Sequence, residues 1–461
     1  MMAGGWNMVP QGGPALKFST TMALRTWSCL YIEFPPEFYH DAHKFTMEGL
    51  TDVMNKFYAV LVGTGIAAST PMKPQRVRLR DEEDPALDQC LQRAANSLDL
   101  LFVVLPAGPI PLYNRIKYLG DVKYGIQTVC CVGKKLAKAS GQDQYLRNEA
   151  LKVNLKLGGS NQVVEPMRND LIADGKTMVV GIDVTHPSPG SSSEAPSIAG
   201  MVASVDKSMG QWPAALRIQP QRRQEMVADL KDMLLSRLRL WHTKGKNASL
   251  PENILVYRDG VSEGQYQLVL NEELPLLRAA CKEIYPTDAQ KKGLPRMTVV
   301  IVGKRHHTRF YPSSEADMDR SGNTKPGTVV DRGVTEGKTW DFFLQAHAAL
   351  QGTARPAHYV VVLDEIFRAR HARSSAEAAA SDELQELTQN MSYTFGRATR
   401  AVSICTPAYY ADILCERARC YLSSLFEGST NASVTDTAGG VGSASDDIKT
   451  HEKLKDTMFY I

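Results

Sequence analysis

TMVVGIDVTHP at 177–187 and NILVYRDGVSEG at 253–264 are the two runs on which the fold turns. Each is a short apolar stretch rich in β-branched residues that reaches a carboxylate, Asp183 in the first and Asp259 in the second, just before turn residues. Apolar runs of this length bounded by turn signals read as buried strands. Carboxylates at the exits of adjacent strands can converge on a hard cation, because Mg²⁺ takes oxygen ligands in tight octahedral geometry. From spacing alone the plainer reading stays open, since an Asp at a strand end is more often a turn former or a helix cap.

Working outward, residues 176–183, 197–206, 214–218, 253–258 and 297–302 read as strands, and 221–241 and 264–284 as long helices. Adjacent strands followed by alternation of strand and helix imply a mixed sheet with helices on its faces. Nearer the N-terminus, strands over 27–33, 100–105 and 126–132 alternate with helices over 45–61 and from Leu112, as in a small parallel sheet. That half is expected to be Rossmann-like. A polar connector over 161–175 sets the boundary, giving a linker segment at 1–25, a first domain at 26–168 and a second at 169–461. Two stretches, the Ala, Arg and Ser run at 366–381 and the Gly, Ser and Thr run at 428–447, read as disordered.

At 461 residues the chain is too long for one ordinary core, and two domains are expected. An apolar content of 43% with 22% charged residues is that of a folded protein. A net charge of only +3 does not announce a nucleic-acid binder, so any such case must rest on local clusters. The eight cysteines contain no CxxC pair, which argues against a zinc site or a disulfide scaffold and for a reducing compartment. No signal peptide is evident, and the longest apolar run, Leu100–Leu105, is far short of a membrane span.

Local clusters do exist. Tyr113 and Lys117 in PLYNRIKYLGD stand at i and i+4, and Lys152 and Lys156 in ALKVNLKLGG repeat that spacing. Converging, they would offer a terminal phosphate several charge-assisted hydrogen bonds and an aromatic platform for a base. Taken singly, such lysines usually form a solvated helix face. Asp412 lies in PAYYADILCERARCYL, a helix opening after Pro407, and Glu225 in QRRQEMVADL reads plainly as a helix-start residue. His306 and His307, a pair without further His or Cys, are not assigned a metal.

The ordered runs GIDVTHP, YRDGVSEGQ, KRHHTRFYP, GTVVDRGVT, QGTARPAHY, SDELQELT and PAYYADILCERARCYL resemble the PIWI domain of eukaryotic Argonautes over 176–461. LPAGPIPLYNRIKYLGDVKYGIQTVCCV with LKVNLKLGG resembles the Argonaute MID domain. The resemblance implies an α/β protein with a Rossmann-like MID domain followed by an RNase H-like PIWI domain, a mixed sheet with flanking helices. It places catalytic carboxylates on Asp183, Asp259 and Asp412, which would hold Mg²⁺ or Mn²⁺, with Glu225 as the fourth member of the set. Asp412 stands where the family often has His, and it still offers a hard oxygen. The 5′-phosphate pocket would use Tyr113, Lys117, Lys152 and Lys156, with Arg417 reaching toward it and Thr128, with Gln127, substituting for a Gln that the family often has at Val129. Arg355, Arg397, Arg400, Ser403 and Tyr409 match residues that hold the guide backbone, and Lys304 to Arg309 are further candidates. Pro106 to Leu112 matches the loop that reads the first base.

In function, the resemblance implies an RNA-guided, divalent-metal-dependent endoribonuclease of RNA silencing, cytoplasmic with nuclear presence compatible, and a monomer. Its partners would be a guide small RNA, complementary target RNA and silencing-complex proteins, with no membrane. The WNM run at 6–8 resembles the linker after the PAZ domain, so a stretch without the N-terminal and PAZ domains is expected. The alternatives are a guide-binding silencing scaffold that does not cut and a general RNase H-like nuclease acting on hybrids. A last expectation is electrostatic: without guide and metal, Glu225 is repelled by three aspartates and stays out of their reach.

Overall fold

The computed structural model describes residues 4–9, 13, 15–39, 42–108, 110–164, 170–372, 378–426 and 448–461. The expected disordered run at 428–447 lies outside them, as do residues 373–377 of the run at 366–381. The chain forms two compact units that do not follow one another as consecutive blocks. One comprises Met8–Asn161, Pro187–Pro196 and Glu416–Ile461; the other takes Met1–Asn7, Gln162–His186 and Ser197–Cys415. The expected 169–461 block is therefore divided, and the described residues from Glu416 onward belong to the first unit.

In the first unit, strands β1 (Trp27–Glu33), β2 (Gln75–Arg78), β3 (Leu100–Leu105) and β4 (Gln127–Val132) form a parallel sheet in the order β2-β1-β3-β4. β3 is buried throughout, which is why its sequence is a continuous apolar run with no alternation. Helices Met47–Gly63 and Gln142–Leu157 cover one face, and Pro85–Ala95 and Pro111–Tyr118 the other. The expected linker at 1–25 is not a free connector: Met8, Phe18 and Leu24 are buried in this core. Exposed β2 escaped the sequence reading because QRVR carries no apolar run.

The second unit is built on an eight-stranded mixed sheet: β5 (Thr177–Thr185), β6 (Ile198–Ala203), β7 (Ala214–Ile218), β8 (Asn253–Asp259), β9 (Arg296–Gly303), β10 (Thr328–Val330), β11 (Trp340–Gln345) and β12 (Ala357–Asp364). Their order is β10-β11-β12-β9-β8-β5-β6-β7, with β8 parallel to both β5 and β9 and the other pairs antiparallel. This is the mixed sheet expected from the sequence, extended by three strands that the sequence pattern did not place. Helices Leu230–Thr243 and Leu274–Ile284 close one face over a core of Met178, Val180, Ile182, Leu234 and Val256.

Three expected elements differ. The helix expected over 221–241 begins only at Leu230, because Gln219, Gln224 and Glu273 take the backbone groups of residues 226–228 that a helix would use. Arg223 has φ of +57°, which also bars a helix there. The helix over 264–284 widens at Val269–Glu273, the turn preceding Pro275, whose ring cannot fit a regular i−4 bond. Within 366–381, Phe367–Arg370 and residues from Ala378 are helical rather than disordered. Composition alone hid the causes: Ile366 and Phe367 are buried, Asp364 accepts from the amides of Ile366, Phe367 and Arg368, and Arg370 and His371 pair with Glu383.

On the other face, the helix Thr406–Tyr421 lies against two glycines. A Cβ on Gly181 would sit 2.0 Å from the Pro407 carbonyl oxygen, and one on Gly200 would sit 2.8 Å from Cys415 Sγ. Gly200 pairs across the sheet with Asp183, so this close approach brings the helix over the strand end that carries the carboxylate. Gly181→Ala must push the helix backbone away and is expected to cost on the order of 3 kcal/mol or more. A melting temperature within about two degrees of the parent would show that the helix can give way.

Candidate functional site

The sheet register builds the carboxylate cluster. Ile182 stands opposite Arg258 in the parallel β5–β8 pair, which brings Asp183 level with Asp259 at the strand exits. Asp412 comes from the helix seated on Gly181 and Gly200. Asp183 is buried, and Asp259 Oδ1 accepts the Gly260 amide at 2.7 Å. Burial first and the Asp412 charge second push the Asp183 carboxyl up to about 6; burial and the Asp183 charge push Asp259 up to about 7. These are carboxylates made costly to ionise by each other, a donor set of hard oxygens that a divalent cation would relieve. Among the described residues, no three His, Cys, Asp or Glu form a ready-made group that could hold a metal ion. Mg²⁺ does not require one, since it keeps several waters and binds through a few carboxylates together with substrate phosphate.

Glu225 is held by partners other than the three aspartates. A Cβ on Gly260 would lie 3.3 Å from Asp183 Oδ1 and 3.7 Å from Glu225 Oε1, so both carboxylates border this glycine. His186 Nε2 lies 2.7 Å from Glu225 Oε2, and Arg258 Nη2 donates to Glu225 Oε1 at 2.9 Å and to its carbonyl at 2.7 Å. Burial alone would raise this carboxyl; the hydrogen bond with His186 and the Arg258 charge outweigh it and hold the group below its ordinary value. The repulsion argument left out these two partners.

Arg258 is itself fully buried and paired with buried Glu273 at 3.0 Å, and Glu273 Oε1 accepts the Val227 amide. One guanidinium thus fixes the loop carrying Glu225 and the carbonyl of Asp259. The sequence reading missed His186, Arg258 and Glu273. Its one available signal was a charged residue inside the apolar run NILVYRD.

Basic and polar candidates lie in the same unit. Lys304 Nζ donates to Ser403 Oγ, and burial lowers the Lys304 pKa against the opposing pull of Asp259 and Asp412. Arg355 and Arg400 are exposed, Arg397 and Tyr409 are half-buried, and the Tyr409 ring stacks on Phe395 at 4.6 Å. His306 Nε2 meets the Pro356 carbonyl at 2.9 Å, and its ring stands edge-on to Phe343 and to His358.

The cation cluster of the first unit forms around the start of edge strand β4. Lys117 Nζ donates to Thr128 Oγ1 at 2.7 Å and to the Thr128 carbonyl at 3.0 Å. Lys156 Nζ donates to the Phe459 carbonyl and, at 3.5 Å, to Gln127 Oε1. Both amines are buried, and the Lys156 pKa falls well below its ordinary value through burial, then through Lys117 and Arg417. Arg417 donates to Asp121 at 2.8 Å and to Tyr113 Oη at 3.4 Å; Tyr421 also donates to Asp121. Among the described residues, Lys117, Lys156 and Arg417 crowd around the buried Asp121 carboxylate, and Arg417 also donates to an Ile461 oxygen at 3.5 Å; an anion would offset the remaining positive charge.

Lys152 is not brought into this group. Its ammonium sits on Glu149 at 2.9 Å, one turn back on the same helix. Thr128 holds Lys117 rather than offering a free hydroxyl, and Val129 points into the core. Asp121, Tyr421 and the segment containing Thr457 and Phe459 went unread in the sequence, since nothing local links them to β4.

The chain thus joins a mixed sheet bearing Asp183 and Asp259 at adjacent strand exits, with Asp412 on the facing helix, to a unit whose parallel sheet carries a buried cation cluster. The Piwi domain family matches residues 100–423. Protein argonaute 5 of Arabidopsis thaliana is 34% identical over 99% of this chain and 44% of its own length. The C-terminal lobe of a budding yeast Argonaute superposes with a TM-score of 0.80 at 28% identity, covering 100% of this chain and 89% of that one. The Kluyveromyces polysporus Argonaute with a guide RNA gives 0.78 at 28% identity, over 99% of this chain and 53% of that one. The chain belongs to the Argonaute family and corresponds to its MID and PIWI lobe. It spans less than half the length of the curated relatives it matches.

Proposed function

We propose that this chain holds a guide small RNA by its 5′ phosphate and cuts complementary target RNA in silencing. The observation that carries the cutting is the pair Asp183 and Asp259 at adjacent strand exits, whose carboxyls are pushed up by burial, by each other and by the charge of Asp412 on the facing helix. Asp183, Asp259 and Asp412 would hold Mg²⁺ or Mn²⁺, which when bound supplies Lewis-acid polarisation and a lowered pKa for attacking water. Glu225, kept ionised by His186 and Arg258, adds a further acceptor for water or ion at the same place. Lys117, Lys156, Arg417 and Tyr113 would receive the 5′ phosphate, and Lys304, Arg355, Arg397, Arg400, Ser403 and Tyr409 the guide backbone. The guide RNA carried by the Kluyveromyces polysporus relative supports this reading. The deciding experiment loads the protein with a 5′-phosphorylated guide and follows a labelled complementary RNA with and without Mg²⁺. A loaded protein that never cuts would leave the scaffold reading in its place.

Two expectations test parts of this reading. Carboxyls whose pKa is raised on folding contribute stability below their unfolded value, near ~3.9, and lose it as pH rises through 6 to 7. Ionised carboxylates are also what a cation binds, so added Mg²⁺ is expected to raise the melting temperature more near pH 8 than near pH 6. Equal gains at both pH values would place the ion elsewhere. Arg258→Lys keeps the charge but loses the planar fork that reaches Glu225, Glu273 and Asp259 together. Cleavage is expected to fall on the order of 10² or less while guide affinity holds; parallel loss of both would point to general unfolding instead.

A further inference from the structure

The stretch that joins helix Ala378–Met391 to helix Thr406–Tyr421 carries Arg397 and Arg400, two of the side chains assigned above to the guide backbone. One side-chain amide reaches three of its carbonyls. Gln162 Nε2 donates to the carbonyl of Phe395 at 2.9 Å, of Tyr393 at 3.2 Å and of Ala398 at 3.3 Å. Gln162 stands in the polar connector, 231 to 236 residues earlier in the chain, yet belongs to the same compact unit. We propose that Gln162 is a positioning residue for the guide backbone, fixing the turn that presents Arg397 and Arg400 to the phosphates of the strand. The inference rests on the guide-binding reading above and adds the residue that makes this grip preformed.

The bonding pattern is the first argument. A primary amide has two N–H donors, so three carbonyls within reach must share them, and only a tightly folded stretch brings its carbonyls at 393, 395 and 398 onto one nitrogen. Arg397 stands between two of these anchored carbonyls. It is half-buried, Arg400 is exposed, and neither forms an ion pair among the described residues. The neighbouring groups are tied by other means. The Gly396 amide donates to the buried Tyr410 hydroxyl at 2.8 Å, and the Phe395 ring stacks on Tyr409 at 4.6 Å. Further along, Gly5 forms a β-bridge with Arg400, and the Trp6 amide donates to the Thr399 carbonyl at 2.8 Å. Gln162 thus supplies the hold on the part of the turn that leads into and out of Arg397.

The second argument separates positioning from plain support of the fold. Gln162 is only half-buried, so water can reach the carbonyls in its absence and the cost to stability is small. What is lost is order. Long cationic side chains on a loose turn give up conformational freedom when a phosphate draws them in, whereas on a fixed turn the backbone part of that loss has already occurred in folding. Phosphate contacts of this kind carry no sequence information, so Gln162 governs the strength of the grip and its salt dependence rather than which guide is chosen.

The test sets two probes against the 461-residue chain: a 5′-phosphorylated single-stranded RNA of about 20 nucleotides, and uridine 5′-monophosphate, which offers the phosphate pocket but no strand. Gln162→Met keeps the length of the side chain without its donors. It is expected to weaken the RNA about five- to tenfold and to lower the salt slope of its binding by about 0.7 to 1.4, the share of one or two phosphates on a single strand. Binding of the mononucleotide is expected to stay within about twofold, since the cation pocket lies in the other unit. Gln162→Asn, one methylene too short to span the three carbonyls, is expected to weaken the RNA about three- to fivefold, and it carries the test if melting shows Gln162→Met unfolded. On an Arg397→Ala/Arg400→Ala background, the same Gln162 change is expected to cost less than about twofold, because the arginines through which it acts are gone. Unchanged RNA affinity in the Gln162 variants while the arginine double variant loses it, equal loss for RNA and mononucleotide, or full additivity with the arginine changes would overturn the inference. An arginine double variant that binds the RNA as the parent does would remove the guide-backbone reading together with it.

Discussion

Asp183→Asn, Asp259→Asn and Asp412→Asn are each expected to lower target cleavage by on the order of 10³-fold or more, because each removes a negative oxygen from a centre worth several kcal/mol of transition-state charge stabilisation. Guide affinity is expected to stay within about threefold, since the cation pocket is built in the other compact unit. The substitutions also carry a stability signature of opposite sign. Asp183 and Asp259 are pushed up by burial and mutual repulsion, so a neutral isostere relieves a cost that the metal-free protein bears near neutral pH. Asp183→Asn and Asp259→Asn should therefore melt no lower than the parent without Mg²⁺, and should lose the gain that Mg²⁺ gives it. Cleavage and melting temperature falling together would mean that these groups support the fold rather than the chemistry.

How far the sequence revealed this centre depends on how each residue is held. Asp183 and Asp259 were legible as strand-end carboxylates because each closes an apolar run, though a turn-forming Asp remained the plainer reading until the resemblance was added. Asp412 was legible only as a helical residue; what brings it over the sheet is the pair Gly181 and Gly200, and no pattern rule marks a glycine as a landing place for a helix 200 residues away. Glu225 was assigned to the set through resemblance, and the partners that hold it went unread. Its position depends on Arg258 and Glu273, side chains from two other elements whose convergence is a tertiary fact. Strands β10 to β12 went unread for another reason: β10 has only three residues, and no helix lies between β10, β11 and β12 to show the alternation.

The two centres are mirror images in charge. In the mixed-sheet unit, aspartates crowd together with Arg258 as their chief buried counter-ion, and their pKa values rise. In the parallel-sheet unit, cations crowd together with Asp121 between them, and the Lys156 value falls. Each cluster is unfavourable by itself and becomes favourable with a ligand of opposite sign. Such cost is tolerated where binding offsets it, which is why perturbed ionisation marks candidate sites better than charge count does. The whole-chain charge of +3 conceals both.

That contrast leads to the second large effect. Lys117→Met with Lys156→Met is expected to erase the preference for a 5′-phosphorylated over a 5′-hydroxyl guide, a loss on the order of 10²-fold or more, since each charge-assisted contact is worth about 1.5 to 3 kcal/mol. Methionine fills nearly the same volume without a buried ammonium, and Lys156 bears the larger desolvation cost. Lys156→Met alone should thus leave the phosphate-free protein as stable as the parent or more so, while abolishing the rise in melting temperature that inorganic phosphate gives the parent. Lys152 separates the structural reading from the resemblance. Its ammonium is already taken by Glu149, so Lys152→Met is expected to change phosphate preference by no more than about threefold. A Lys152→Met loss equal to that of Lys156→Met would show that the guide draws Lys152 off Glu149 and into the pocket. Equal binding of phosphorylated and unphosphorylated guides by the unsubstituted protein would remove the pocket altogether.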